Sequence, residues 1–214
     1  MIKKSLADLR ENYKLKSLDI SDVDLNPFKQ FEVWFNEVLE AEIHEPNSMC
    51  VATATKEGKP SARVLLLKGF DEKGFVFYTN YESRKGKELA ENNQASLLFF
   101  WVDLERQIRI EGTVEKVTQE ESEKYFKTRP FKSRLGAWAS NQSEVISGRY
   151  IIIKKFVGYL AKFRSINVPL PPYWGGYRLE PEVFEFWQGR ANRLHDRIRY
   201  KKEKDNWIIE RLSP

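Results

Sequence analysis

The stretch MCVATATKEGKPSARVLLLKGFDEKGFVFYT, residues 49–79, decides the fold. It holds three short runs rich in β-branched and aromatic residues, MCVATAT, ARVLLLKGF and FVFYT, parted by KEGKP and DEKG. Glycine, proline and charge at those joints are turn chemistry, so the runs read as strands. SRKGKELAENN predicts a short helix. ASLLFFWV and RQIRIEGTVEKV then return to strand, the second alternating through Ile108, Ile110 and Val114. About five strands in roughly 70 residues suit a small barrel better than a βαβ sheet.

Working outward, Asn26-Pro27 is a capping residue followed by proline in a first helical turn. Phe28, Phe31, Phe35, Val38 and Leu39 then fall on one face of that helix. Residues 1–25 are polar with weak periodicity and read as a mobile arm. Downstream, Thr118 and Glu121 form a capping-box pattern opening the helix QEESEKYFKTR, which Pro130 ends. RYIIIKKFVGYLAKF predicts another helix, and VPLPPYWGGYRL a proline- and glycine-rich connection. VFEFWQG, RLHDRIRY and NWIIERL finish the chain, the last two across a KKEKD turn. The reading is one α+β domain over residues 26–214 behind an arm at 1–25.

Composition narrows the chemistry. The 214 residues are 41% hydrophobic and 14% aromatic, enough for a sizeable core without metal or disulfide staples. Cys50 is the single cysteine, which rules out an intrachain disulfide and a cysteine-cluster metal site. Only two histidines are present, so no metal site is expected. No apolar run has signal-peptide or membrane-span length, and the expectation is a soluble, cytoplasmic protein. Lys and Arg total 36 against 31 Asp and Glu, a mild +5 that phosphorylated small molecules satisfy as well as nucleic acid does. GxSxG, HExxH, CxxC and Walker patterns are missing.

Four clusters carry possible chemistry. In RLHDRIRY, strand alternation would put Arg193, His195 and Arg197 on one face, suited to an anionic or aromatic ligand; a solvated basic face is the equal alternative. Ser83-Arg84-Lys85 stands at a predicted helix start, where free N–H groups and the dipole favour phosphate, although basic helix starts are common on surfaces. Tyr125 and Arg129 lie four apart on one helix face, with Ser133 just past Pro130, and together offer a guanidinium and two hydroxyls to one phosphate. An exposed helix end explains them equally well. Arg63 and Lys68 bracket four aliphatic residues, Val64, Leu65, Leu66 and Leu67, yet fall on opposite faces of a regular strand. Serving one site would take a bulge, strong twist or an adjoining subunit.

RVLLLK, FYTNYESRKGKEL, ERQIRIEG, YFKTRPFKSRLGAWASNQS, PPYWGGYRL, EFWQGRANRLHDR and WIIERLSP occur in this order. Together they resemble the pyridoxine/pyridoxamine 5′-phosphate oxidase family from about Ser48 to Pro214. The resemblance implies an FMN-binding split β-barrel of mainly antiparallel strands with flanking helices, acting as a homodimer with FMN at the interface. It implies FMN contacts from Arg63, the following strand through Val64, Leu65, Leu66, Leu67 and Lys68, and from Tyr78, Thr79, Arg84, Lys85, Gln107, Gln142, Ser143, Trp187 and Arg197. It places the substrate phosphate on Lys68, Tyr125, Arg129 and Ser133, and the pyridine ring beside Arg193 and His195 as the catalytic pair. Arg10 and Tyr13 would cover the substrate from the N-terminal side. The implied reaction takes pyridoxamine or pyridoxine 5′-phosphate and dioxygen to pyridoxal 5′-phosphate and hydrogen peroxide, with ammonia from the amine. No nucleic acid, membrane or metal is implied. Two rivals are a split-barrel flavoprotein oxidase for another substrate and a non-catalytic binder of FMN or pyridoxal phosphate. A basic barrel that binds nucleic acid is the third.

Overall fold

Asn26 caps the first helix, α1 (Pro27–Glu40), by accepting from the Phe28 N–H, and Pro27 fills a first-turn position that needs no donor. The computed structural model describes Ser5 and residues 12–163 and 167–214. Helix α1 buries Phe28, Phe31, Trp34 and Val38, while Leu39, expected on that face, is 49% exposed. The strands are β1 (Ser48–Ala54), β2 (Pro60–Leu66), β3 (Gly69–Asp71), β4 (Gly74–Asn80), β5 (Gln94–Trp101), β6 (Arg106–Lys116), β7 (Trp174–Gln188), β8 (Asp196–Glu203) and β9 (Asn206–Arg211). The remaining helices are α2 (Arg84–Glu91), α3 (Gln119–Thr128), α4 (Phe131–Ala139) and α5 (Arg149–Lys162). Among the described residues no helix is long and apolar enough to cross a membrane.

The sheet order is β2-β1-β5-β6-β7-β4-β3, with β8 pairing to β7 and β9 to β8. The pairs β3–β4, β4–β7, β7–β8 and β8–β9 are all antiparallel. This is the mainly antiparallel α+β class expected from the alternation. Residue contacts separate two compact units, and β5, β6 and β7 each change unit partway along. The first unit comprises the described residues of Met1–Met49, Leu97–Glu111 and Glu182–Pro214; the second comprises Cys50–Ser96 and Gly112–Pro181.

In the first unit, aromatic edges knit the core. Phe31 meets Phe99 at 5.3 Å, Trp34 meets Phe186 at 5.2 Å, and Phe186 meets Tyr200 at 5.5 Å. Of the stretch 1–25 expected as an arm, residues 14–24 carry hydrogen bonds to this unit. Lys14 and Leu15 donate their N–H groups to the Glu105 carboxylate, Leu18 donates to Asp196, and Tyr200 donates to the Asp24 carbonyl.

Three local differences from the sequence reading matter for the site. ARVLLLKGF is two strands: β2 ends at Leu66 and β3 begins at Gly69, with Lys68 in the break donating its N–H to the Val76 carbonyl. PPYWGGYRL is not a connection, because WGGYRL forms the first part of the long strand β7. Its glycines are strand residues because neighbouring rings approach the backbone closely. A Cβ on Gly175 would sit 2.1 Å from the Tyr81 hydroxyl, and one on Gly176 would meet Val117 and Tyr78 within 2.7 Å. Finally, the helical chain resumes after Pro130 as α4, with Ser133 on it.

Gly112 of β6 is the strictest of these approaches, since its Cβ would lie 1.9 Å from the Glu180 carbonyl oxygen of the neighbouring strand. A backbone atom cannot swing aside as a side chain can. Gly112→Ala should lower stability by roughly 1–3 kcal/mol. A fall in the urea midpoint at unchanged m-value would show it.

Candidate functional site

A cavity of about 580 Å³ opens in the second unit. The break after β2 delivers Lys68, β4 delivers Tyr78 and Thr79, α3 delivers Tyr125, Arg129 follows as its C-cap, and α4 adds Ser133; Gln142 follows α4. All seven line this one cavity, along with Leu65 and Leu66. Its described lining contains two cations, Lys68 and Arg129, and no carboxylate. Within the predicted FMN strand, Val64 is 67% exposed and Leu67 is in the core at 5%. Ser143 lines a separate, smaller cavity of about 140 Å³.

Aromatic packing holds the far wall rigid. Tyr78 stacks on Tyr125 at 3.9 Å, and Trp174 lies parallel to both. The Arg129 guanidinium sits 4.7 Å from the Trp174 ring centroid. Its Nη1 is buried with no hydrogen-bond partner. Burial pulls the Arg129 pKa down, and the adjoining Tyr125 works against that fall. A buried, unpartnered guanidinium nitrogen in a cavity whose described lining holds no carboxylate fits an anion.

Beside the cavity, Ser83 caps α2 by accepting from the Gly86 N–H, and Gly86 admits the Tyr81 carbonyl, which a Cβ would meet at 2.1 Å. Lys85 is 5% exposed, and its Nζ reaches Gln142 Oε1 at 3.0 Å, Thr79 Oγ1 at 3.2 Å and Ser83 Oγ at 3.4 Å. These oxygens are all neutral. Burial, then the charge of Arg63, bring the Lys85 pKa down to about 8, with Glu88 opposing. A buried ammonium solvated only by neutral oxygens at a helix start fits a phosphate well.

Arg63 and Arg84 converge on a residue that sequence reasoning missed, the buried Glu88. Arg84 Nε donates to it at 2.8 Å and Arg63 Nη2 at 3.3 Å, while Thr53 and Ser61 hydroxyls each donate at 2.5 Å. Burial alone would raise the Glu88 pKa. The bonds from Ser61, Thr53 and Arg84, then the Arg63 charge, overcome it and hold the carboxyl at about 2. Arg63 also donates to the Val51 carbonyl and to the Thr53 and Ser61 hydroxyls. The parity conflict between Arg63 and Lys68 disappears, because the strand breaks between them: Arg63 joins the Glu88 cluster and Lys68 the cavity.

The first unit holds the other predicted residues. The expectation that Arg193, His195 and Arg197 share one strand face needs correction. Strand β8 begins at Asp196, and Arg193 lies in a preceding turn where Asn192 and Arg193 both adopt left-handed φ, 58° and 63°. Arg193 is exposed there. Trp187 pairs with Arg197 across the β7–β8 ladder. Trp187 and His195 rings lie 4.6 Å apart, and Tyr13 meets them edge-on at 5.7 and 5.8 Å. Gly189 makes room for Tyr13, whose Cγ a Cβ would approach to 2.7 Å. The Arg190 N–H donates to His195 Nδ1 at 3.1 Å, so the neutral ring carries its proton on Nε2. Burial, then Arg193, lower the His195 pKa, with Asp196 opposing. Arg197 donates to the buried Glu185 at 2.9 Å, and Arg109 joins the same carboxylate at 2.6 Å. Gln107 is half-buried on β6. Arg10 lies outside the described residues.

Comparison with known proteins shows the family. The family profile described as pyridoxamine 5′-phosphate oxidase matches residues 35–161. That of the pyridoxine 5′-phosphate oxidase C-terminal dimerisation region matches residues 174–214. The chain is 58% identical to a pyridoxine/pyridoxamine 5′-phosphate oxidase of Gloeothece citriformis over 98% of its own length and 99% of the relative. A protein of the same name from Burkholderia thailandensis is 56% identical over the same shares. Among solved structures, PhzG of Burkholderia lata in complex with tetrahydrophenazine-1-carboxylic acid superposes with a TM-score of 0.87 at 32% identity, covering 94% of this chain and 99% of that one. A pyridoxamine 5′-phosphate oxidase-related, FMN binding protein of Nostoc punctiforme shares the fold at a TM-score of 0.70 and 16% identity, covering 89% and 99%. The split-barrel expectation is met.

Lys85 gives the second unit a pH signature. Its pKa falls from 10.5 to about 8 on folding, so the unfolded chain holds the proton more tightly. The charged lysine therefore costs stability below pH 8, and the cost fades as pH rises towards 10.5. In ligand-free protein, Lys85→Met should raise stability at pH 7 by about 2 kcal/mol. Thermal melts across that pH range should show the advantage shrinking above pH 8.

Proposed function

This chain belongs to the pyridoxine/pyridoxamine 5′-phosphate oxidase family, and we propose that it oxidises pyridoxamine 5′-phosphate and pyridoxine 5′-phosphate to pyridoxal 5′-phosphate. FMN is its cofactor and dioxygen its electron acceptor. The observation that carries the reading is the acid-free cavity in which Lys68, Tyr125, Arg129 and Ser133 converge around an unpartnered Arg129 nitrogen. Two cations and two hydroxyls are the donor set a phosphate dianion requires. The buried Lys85 beside Thr79 and Gln142, with Arg84 at the same helix start, is a second cationic pocket, and we assign it with Arg63 to the FMN phosphate. The strand Val64–Leu67, Tyr78, Gln107, Ser143, Trp187 and Arg197 complete the FMN contacts in this reading.

When bound, FMN supplies the acceptor for a hydride from substrate C4′, and its reoxidation turns dioxygen into hydrogen peroxide. The chain's own residues bind, orient and exclude water. Lys68, Arg129, Tyr125 and Ser133 anchor the phosphate and so fix where the pyridine ring lies. His195 has Nδ1 occupied by the Arg190 N–H, so it offers one N–H, at Nε2, and its lowered pKa keeps it neutral at pH 7. Arg193 adds a positive guanidinium. Pyridoxine 5′-phosphate yields the aldehyde directly. Pyridoxamine 5′-phosphate yields an imine that water converts to the aldehyde and ammonia. Sequence similarity of residues 174–214 to a dimerisation region supports a homodimer, in which two chains build each site. A cytoplasmic location and a place in vitamin B6 salvage belong to the same proposal.

PhzG, at 32% identity, motivates a second reading, an oxidase of a phenazine precursor. Anaerobic titration decides between them. Pyridoxamine 5′-phosphate should bleach the bound flavin, and tetrahydrophenazine-1-carboxylic acid should leave it yellow; the reverse would transfer the chain to the PhzG type. Single variants then separate the pockets. Arg193→Ala should cut turnover by roughly a hundredfold with flavin retained. Arg84→Ala should weaken FMN retention at least tenfold before it alters turnover of the loaded protein.

A further inference from the structure

Arg129 has no ion pair among the described residues, yet its guanidinium is fixed. It leaves α3 on extended backbone immediately before Pro130, and it lies over the Trp174 ring at 4.7 Å with Phe126 further off at 5.6 Å. Trp174 itself is closely packed. It is 8% exposed, meets Phe126 edge-on at 5.1 Å, and lies parallel to Tyr78 at 5.6 Å. Its backbone N–H donates to the Pro171 carbonyl. Trp174 also lines a second cavity of about 630 Å³ and so borders both.

The chemistry of that support matters. A carboxylate orients an arginine by consuming the N–H donors on its edge, as Glu88 does for Arg84 and Glu185 for Arg197. An aromatic ring attracts the cation through its face, and the donors lie in the guanidinium plane. Support by a ring leaves the guanidinium donors unclaimed by a carboxylate. Of the arginines assigned above to substrate or cofactor, Arg129 is the one that lies over a ring and has a buried, unpartnered Nη1.

We propose that Trp174 is a positioning residue: it holds the Arg129 guanidinium face-on so that its free edge meets the 5′-phosphate, and thereby sets the preference for phosphorylated over unphosphorylated pyridoxine compounds. The inference rests on the reading of the cavity as a substrate-phosphate pocket.

The test measures binding to the full-length, flavin-loaded protein by calorimetry. The probes are 4-deoxypyridoxine 5′-phosphate and 4-deoxypyridoxine, which lack the oxidisable C4′ group. Trp174→Leu should weaken the phosphorylated probe roughly tenfold and leave the unphosphorylated one unchanged. Trp174→Phe keeps an aromatic face and a filled core, and should lose only about threefold. That second variant keeps the series readable if leucine compromises folding. Equal weakening of both probes would make Trp174 a packing residue only, and no weakening would remove it from recognition; either overturns the proposal. A wild-type protein that fails to distinguish the probes would instead overturn the phosphate-pocket reading itself.

Discussion

Positive charge buried without a carboxylate partner is the constraint on which the second unit depends. Lys85 is surrounded by hydroxyl and amide oxygens, and Arg129 by rings. Such groups are costly to bury, so every element around them must be held firmly enough to prevent escape to water. The capped start of α2, the Tyr78–Tyr125 stack and the extended exit from α3 all serve that confinement. An anion arriving in the cavity meets charge that is already desolvated and oriented, which is where electrostatic attraction is strongest.

The arginines divide by what steadies them. Arg63 and Arg84 share Glu88, and Arg109 and Arg197 share Glu185; both carboxylates are almost fully buried. Each acid neutralises about half of its pair and fixes the geometry of both. The Glu88 cluster therefore retains a net positive charge, whereas Glu111, 2.8 Å from Arg109, brings the Glu185 cluster to balance.

Much of the site was readable from residue spacing. Tyr125 and Arg129 point together because helical periodicity puts i and i+4 on one face, and the Ser83 cap announces α2. The RVLLLK run, four aliphatic residues between two cations, gave no hint of its own break, since nothing in it breaks a strand by composition. Alternation through RLHDRIRY imitated a strand where the chain first makes a turn, because two non-glycine residues in left-handed backbone leave no compositional mark. Glu88 looks like any helical surface glutamate until Thr53 and Ser61 arrive from distant strands. Trp174 was hidden inside a stretch whose prolines and glycines resemble a linker. Contacts across such sequence distances are set by tertiary packing, which local pattern does not encode.

The discomfort of Lys85 extends beyond binding. A chain whose native state is penalised by a buried cation, and relieved by the anion that pairs with it, has its folded population tied by mass action to the supply of that anion. An anion that paired with this lysine would therefore stabilise the fold as well as fill the pocket.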